Sequence, residues 1–303
     1  MKLPFHCPIL PDEHLLGWIF RIHLLLGYPK IVSTLKVLGI QNEALRHNQY
    51  NRAFLDVINF YRQEVEDGAS SFDMHTLFPM WSLGTSPAYY SQWRNNNTAN
   101  IQNGKIGGRL LCNQKWKYCY ICADEDIKKY GVSLWHTKHQ ILSLTHCVKH
   151  KVPLVEHNSY NSDLRHCFLP VKAKGKDKQI EACAEMLKWS MFVNTVYETL
   201  RTDPLAGAKL IAKVRKAISM PVNLELKGDN IDKFDDLQQN FDSEMPTSIT
   251  SYLFPNYSKH KVYLFRTTMG FYHKGDVREV THPVYWLAII YWLRHELGFT
   301  RQL

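Results

Sequence analysis

Four side chains in this 303-residue chain are of the right types and spacing to hold a metal ion. Cys119 and Cys122 are two residues apart, Cys147 and His150 likewise, and 24 residues separate the two pairs. Each pair can present two ligands from one tight turn. Three thiolates and one imidazole suit tetrahedral zinc, and four protein ligands close the shell to water, so the ion is structural. The first pair alone would equally suit a redox dithiol, and four unrelated buried side chains would give the same letters. The second pair, at ribbon-like separation, favours one Zn2+. Seven cysteines, three of them in the metal pattern beside His150, argue against a disulfide scaffold and for a reducing compartment.

Basic residues surround the pairs: Lys115, Lys117, Lys128, Lys129, Lys138, Lys149 and Lys151. A lysine set without arginine suits phosphate contact better than base reading, though a solvated face looks the same. A second basic set, Lys209, Lys213, Arg215 and Lys216, falls on one predicted helix. The net charge of +9 makes a polyanionic partner plausible without proving one. His136, His139, His146 and His150 raise a metal-dependent nuclease, but that chemistry needs an open metal site and a further carboxylate. Gly104 to Gly108 lacks phosphate-loop spacing, and no dinucleotide fingerprint occurs. The expectation is a protein that is not an enzyme.

The elements that must position these residues read mainly as helices. Leu15, Leu16, Ile19, Ile22, Leu25 and Leu26 predict a helix opened by Asp12-Glu13 in its first turn and stopped at Gly27. Shorter helices follow over 29–38 and from Phe54 to about Asp67, and the three together fit either a helix-turn-helix or a generic bundle. Gln92 to Gly108 reads as a loop. A helix from Asp124 to Lys129, or on to His139, would span the gap between the pairs, with Asp124, Glu125 and Asp126 at its start. Trp135, Ile141 and Leu144 would cover the metal. A polar link over 158–178, with Lys172, Lys174, Lys176 and Lys178, leads to helices over 179–200 and 205–218. Two more, 231–241 and 247–254, make a second helix-turn-helix candidate. A loop or hairpin is expected over 259–275, then an apolar helix over 283–297. The fold class is therefore mainly α with a small zinc-ribbon module: an N-terminal helical domain (1–104), a zinc-binding module (105–175) and a C-terminal helical domain (176–303). The apolar run Val284–Leu293 is about half the length of a membrane span, so a soluble, cytoplasmic, nucleoid-associated bacterial protein is expected.

With the pairs placed, the chain resembles the TniQ/TnsD family of transposon target-selection proteins. The resemblance rests on Cys119, Cys122, Asp124, Tyr130-Gly131, Trp135, His139-Gln140, Cys147, His150 and Leu154. It extends to Asp12-Glu13 with Trp18 and Arg21, to His75-Thr76-Leu77-Phe78-Pro79, and to His282-Pro283. Departures are Tyr120 where proline is usual, Lys151 where glycine is usual, and Gly17 in place of serine; none removes a ligand.

The resemblance implies an adaptor that marks target DNA, directly or on an RNA-guided CRISPR surveillance complex. Such an adaptor recruits a AAA+ ATPase regulator and, through it, the transposase; a homodimer is compatible with this role. The family does not cut DNA. The chain lacks the long extension after His282 found in attachment-site-binding members, which weighs against independent recognition of one chromosomal site. A zinc-dependent, sequence-specific transcription regulator shares the same physical features, and the family signature is what separates the two.

Overall fold

In a computed structural model of the chain, the described residues are 5–42, 45–46, 51–64, 72–96, 115–157, 178–180, 183–219, 229–254, 263–269 and 281–299, with positions 3, 164, 169, 170 and 257. They are mainly helical. In chain order the elements are α1 (Leu15–Leu26), α2 (Ile31–Val37), α3 (Arg52–Glu64), short 3-10 turns at Phe72–His75 and Phe78–Leu83, α4 (Pro87–Asn96), β1 (Lys117–Tyr118), α5 (Tyr120–Tyr130), a 3-10 turn at Lys138–Gln140, β2 (Val155–Glu156), β3 (Lys178–Gln179), α6 (Ala184–Thr202), α7 (Ala206–Ala217), α8 (Asp229–Glu244), α9 (Thr247–Leu253), α10 (Leu264–Met269) and α11 (Pro283–Trp292). Contacts divide the chain into two compact units. The first comprises Met1–Phe78, Asn100–Gln102 and Asn113–Ala182; the second comprises Pro79–Ala99, Asn103–Cys112 and Cys183–Leu303.

In the first unit, α1 buries Leu15, Leu16, Trp18, Ile19 and Ile22, the helical spacing of one apolar face. The indole of Trp18 stacks on Phe60 of α3 at 5.6 Å and meets Tyr61 edge-on at 5.7 Å. Gly27 takes the left-handed conformation (φ 68°) that ends α1, and α2 leaves at 99° to it. The acids expected in the first turn of α1 lie ahead of it instead. His14 is the N-cap, its Nδ1 accepting from the Leu16 amide at 3.1 Å, and Glu13 turns back to accept from Arg21 Nε and Nη2, each at 2.8 Å. The three short strands form one antiparallel sheet in the order β1-β2-β3, with Lys117 opposite Glu156 and Val155 opposite Gln179. Gln179 is therefore paired in a strand, and the helix expected from that residue begins at Ala184.

The second unit is organised on α11. Val284, Trp286, Leu287, Ala288, Ile289 and Ile290 are all buried, so this helix is apolar all round because it has packed neighbours all round. Tyr291 meets Trp189 and Phe192 of α6 at 5.1 and 5.0 Å, while Trp292 meets Phe241 of α8 and Phe265 of α10. His282 caps α11 as His14 caps α1, Val284 N donating to its Nδ1 at 3.3 Å. Burial lowers His282 to about 3, which keeps the imidazole neutral and able to accept.

Two stretches expected as loops are partly helical. Gln92 to Asn96 belongs to α4, which Pro87 opens at the first turn, and Leu264–Met269 forms α10, with Leu264 N held by Gln238 Oε1. The last helix ends at Trp292, five residues earlier than expected, and the chain continues in turns to Gly298 (φ 84°). The expected loop over 97–108 and the lysines at 172, 174 and 176 lie outside the described residues. Among the described residues no single helix is long and apolar enough to cross a membrane.

Among the described glycines, Gly84 leaves the least room for a side chain. Its carbonyl accepts from Thr281 N at 2.8 Å, and a Cβ there would lie 1.8 Å from Thr281 O. Relieving that overlap must move backbone, so Gly84→Ala is expected to cost at least about 2 kcal/mol, read as a lowered urea midpoint of the purified chain.

Candidate metal centre and its clamp to the N-terminal helices

The first ligand pair is built by the start of α5. Cys119 is the N-cap residue and Cys122 lies in the first turn, with Ala123 N donating to Cys119 O. Thiolates at a helix N-terminus are favoured by the exposed amides and the macrodipole. The acidic run expected at that start lies further along, in the middle of α5, with none in its first turn. The second pair is built by a turn closed by Lys151 N to Cys147 O (2.7 Å) and Cys147 N to Val152 O (2.8 Å). Lys151 has φ 57°, the left-handed region where glycine is at ease, which accounts physically for the glycine usual at this position.

The four expected ligand atoms converge to within 4.8 Å of one another. Cys122 Sγ lies 3.8 Å from Cys147 Sγ, and His150 Nδ1 lies 3.5, 3.3 and 3.7 Å from the sulfurs of Cys119, Cys122 and Cys147. The edges of a tetrahedron with metal–sulfur bonds of ~2.3 Å and a metal–nitrogen bond of ~2.0 Å are ~3.8 and ~3.5 Å. The group can therefore hold a metal ion. By themselves the thiols share protons: hydrogen bonds from Cys122 and Cys147 push Cys119 far down, and the bond to Cys119 pushes Cys122 up and Cys147 to about 11. A divalent cation would let all three ionise.

Three aromatic rings close one side of this module. Trp116, Tyr118 and Trp135 are fully buried, with Trp135 5.1 Å from Trp116 and 6.0 Å from Tyr118. Gly17 lets α1 lie against this cluster, since a Cβ there would stand 3.1 Å from Trp135 Cβ. Gln140 acts as a side-chain strand: its Oε1 accepts from Lys117 N and its Nε2 donates to Lys117 O.

The N-terminal segment is fastened to the module by charge as well as packing. His14 N donates to Trp135 O and Thr137 N to Asp12 O, both at 2.7 Å. Between these bonds, His136 bridges two carboxylates, Nδ1 to Asp12 Oδ2 at 3.1 Å and Nε2 to Asp126 Oδ2 at 2.8 Å. Both ring nitrogens must donate, so the ring is an imidazolium. Burial disfavours that charge, but the bonds to Asp12 and Asp126 outweigh it and raise His136 to about 9. Asp126 is on α5, one turn beyond Cys122. Nothing in the sequence joined positions 12, 126 and 136, which have no shared period; Asp12 and Asp126 read only as acids at helix starts.

The other sequence-derived candidates separate. Lys117 is not a surface residue: it is 2 % exposed and its Nζ donates to Ile141 O and Leu144 O. Arg215 is also buried, on the inner face of α7. Both are withdrawn from the surface that a phosphate would meet. Lys115 pairs with Glu156, Lys149 with Glu125 and Lys209 with Asp203. Lys128, Lys129, Lys151, Lys213 and Lys216 are exposed and Lys138 half-buried. Of the four histidines, His150 joins the cysteines, His136 holds carboxylates, His139 is buried and held neutral by desolvation, and His146 meets Thr145 Oγ1.

The raised pKa of His136 carries a sign. Its contribution is complete below the ordinary histidine value of about 6.5 and is lost as pH rises through about 9. His136→Gln is expected to cost about 3 kcal/mol at pH 6.5. Urea unfolding at pH 6.5 and 10, at constant metal, should show that deficit shrinking toward zero at the higher pH.

Residues 4–154 match the model of the TniQ family. None of the curated proteins matches the chain. The matched span runs from the N-terminal segment through α1, α2, α3 and both ligand pairs to Leu154, just past the second of them. Residues 4–154 are a TniQ domain, and by it the chain belongs to the TniQ family and has a transposition-associated role.

Proposed function

We propose that the protein is a non-catalytic target-selection adaptor for DNA transposition, with one structural Zn2+ held by Cys119, Cys122, Cys147 and His150. The single observation that carries this reading is the TniQ match over a span that contains both the N-terminal helices and the four-ligand cluster. Three sulfurs and one nitrogen favour zinc over magnesium or calcium, which take oxygen. In this reading the ion holds the two turns together, and the buried clamp at His136 lets the N-terminal helices and the module act as one rigid body. A rigid body suits an adaptor, whose task is to fix the position of one partner relative to another.

The partners would be target DNA, met directly or on an RNA-guided CRISPR complex, and a AAA+ ATPase that brings the transposase. The place of action would be the bacterial cytoplasm, at the nucleoid. For phosphate contact the exposed lysines are the candidates: Lys128, Lys129 and Lys151 around the metal cluster, and Lys213 and Lys216 on α7. The second helix-turn-helix candidate is a poorer one. Helix α8 carries Asp229, Asp232, Asp235, Asp236, Asp242 and Glu244 against a single lysine, and a first helix of that charge would be repelled by the backbone it must cross.

Replacing Cys119 or Cys147 with serine is expected to abolish stoichiometric zinc, measured by metal analysis of the purified chain, and to abolish transposition in cells. Full zinc content and activity in both variants would overturn the metal assignment. Duplex binding should fall steeply with salt, and Lys213→Ala with Lys216→Ala should reduce the slope of log K against log[salt] by about 2. Co-purification with the AAA+ ATPase of the same transposition system tests the adaptor role itself; no association, with or without DNA, would sink it.

A further inference from the structure

We propose that Glu125 is the positioning residue of the metal centre, acting through His150, and that Lys149 in turn fixes Glu125. The inference rests on the metal reading above and deepens it. His150 turns Nδ1 to the three sulfurs, and its other nitrogen, Nε2, lies 3.2 Å from Glu125 Oε1. The second oxygen of the same carboxylate, Oε2, accepts from Lys149 Nζ at 2.5 Å. Glu125 stands three residues after Cys122 on α5, which puts it on the helix face that carries the ligand. Lys149 immediately precedes His150. Each ligand turn thus contributes one member of a relay that runs from lysine through carboxylate to imidazole and then to the sulfur cluster.

The chemistry of an imidazole ligand gives this relay its purpose. A histidine can bind a metal through Nδ1 only if its proton sits on Nε2. A carboxylate accepting from Nε2–H selects that tautomer, fixes the ring plane and raises the basicity of the ligating nitrogen. The Lys149–Glu125 ion pair is half-exposed, its side chains 64 % and 45 % accessible, so it adds little to stability by itself. Its effect is to hold the carboxylate where the ring requires it. The sequence offered only an acidic run and a basic surface here. The pairing of Glu125 with His150 needs the two turns to be folded together.

The test uses the full chain, titrated with Co2+ in competition with a chelator, because cobalt reports both affinity and ligand geometry through its visible spectrum. Glu125→Ala keeps a good helix former at a half-exposed site and should weaken binding 10- to 100-fold, with altered d–d bands. Glu125→Gln still accepts from Nε2–H through its carbonyl oxygen and should recover most of the affinity and the original spectrum. Lys149→Ala should weaken binding several-fold, and Lys36→Ala, an exposed charge change on α2 of the same unit, should leave it unchanged. Affinity of Glu125→Ala within twofold of the parent would overturn the proposal. Equal weakening in the alanine and glutamine variants would overturn it as well, since charge alone would then be responsible. A parent chain that binds cobalt without a tetrahedral spectrum would instead refute the metal reading beneath it.

Discussion

Three sulfur atoms and one imidazole nitrogen packed within 4.8 Å impose the constraint on which the first unit depends. Close thiols cannot ionise together without a cation among them, so the geometry that gathers them is coupled to a positive charge. The two turns that supply the ligands are short and come from distant parts of the chain. The sheet that accompanies them has only two residues in each strand, too few to fix a fold alone. Packing of Trp116, Tyr118 and Trp135 and the side-chain strand of Gln140 supply the rest of the frame, and a bound ion would close it.

Helix α5 is where local and long-range demands meet. Its first turn carries ligands, its next turn reaches His136 through Asp126, and its outer face offers Glu125 to His150. Loss of the first turn would disturb all of these at once, including the attachment of α1 through Asp12 and His14. The N-terminal helices and the metal module share one compact unit, joined by a buried imidazolium between two acids and by backbone bonds on either side of it. Breaking a buried, fully bonded charge pair costs more than its formation gains, so such a joint is stiff.

Much of this was legible in the sequence, and the reason is local. The helical period of Leu15 to Ile22, the stop at Gly27 and the spacing of the ligand pairs all depend on near neighbours. What was not legible depends on partners far along the chain. Lys117 reads as a surface charge until its ammonium is seen on the carbonyls of Ile141 and Leu144. Asp12 and Glu13 read as first-turn acids until His136 and Arg21 claim them. The two histidine caps were hidden for another reason. Histidine caps a helix only when neutral, and it is burial that makes His282 so.

Lys151 has a consequence of its own. A left-handed φ in a lysine costs on the order of 1 kcal/mol, a penalty that glycine escapes in the folded turn. Glycine would also multiply the conformations available to the turn when it opens. The lysine ensemble is smaller but is weighted toward negative φ, so an opened turn drifts away from the left-handed conformation that the closed turn requires. The closed turn is therefore kept by its own backbone bonds, Lys151 N to Cys147 O and Cys147 N to Val152 O, against the preference of the residue at its corner.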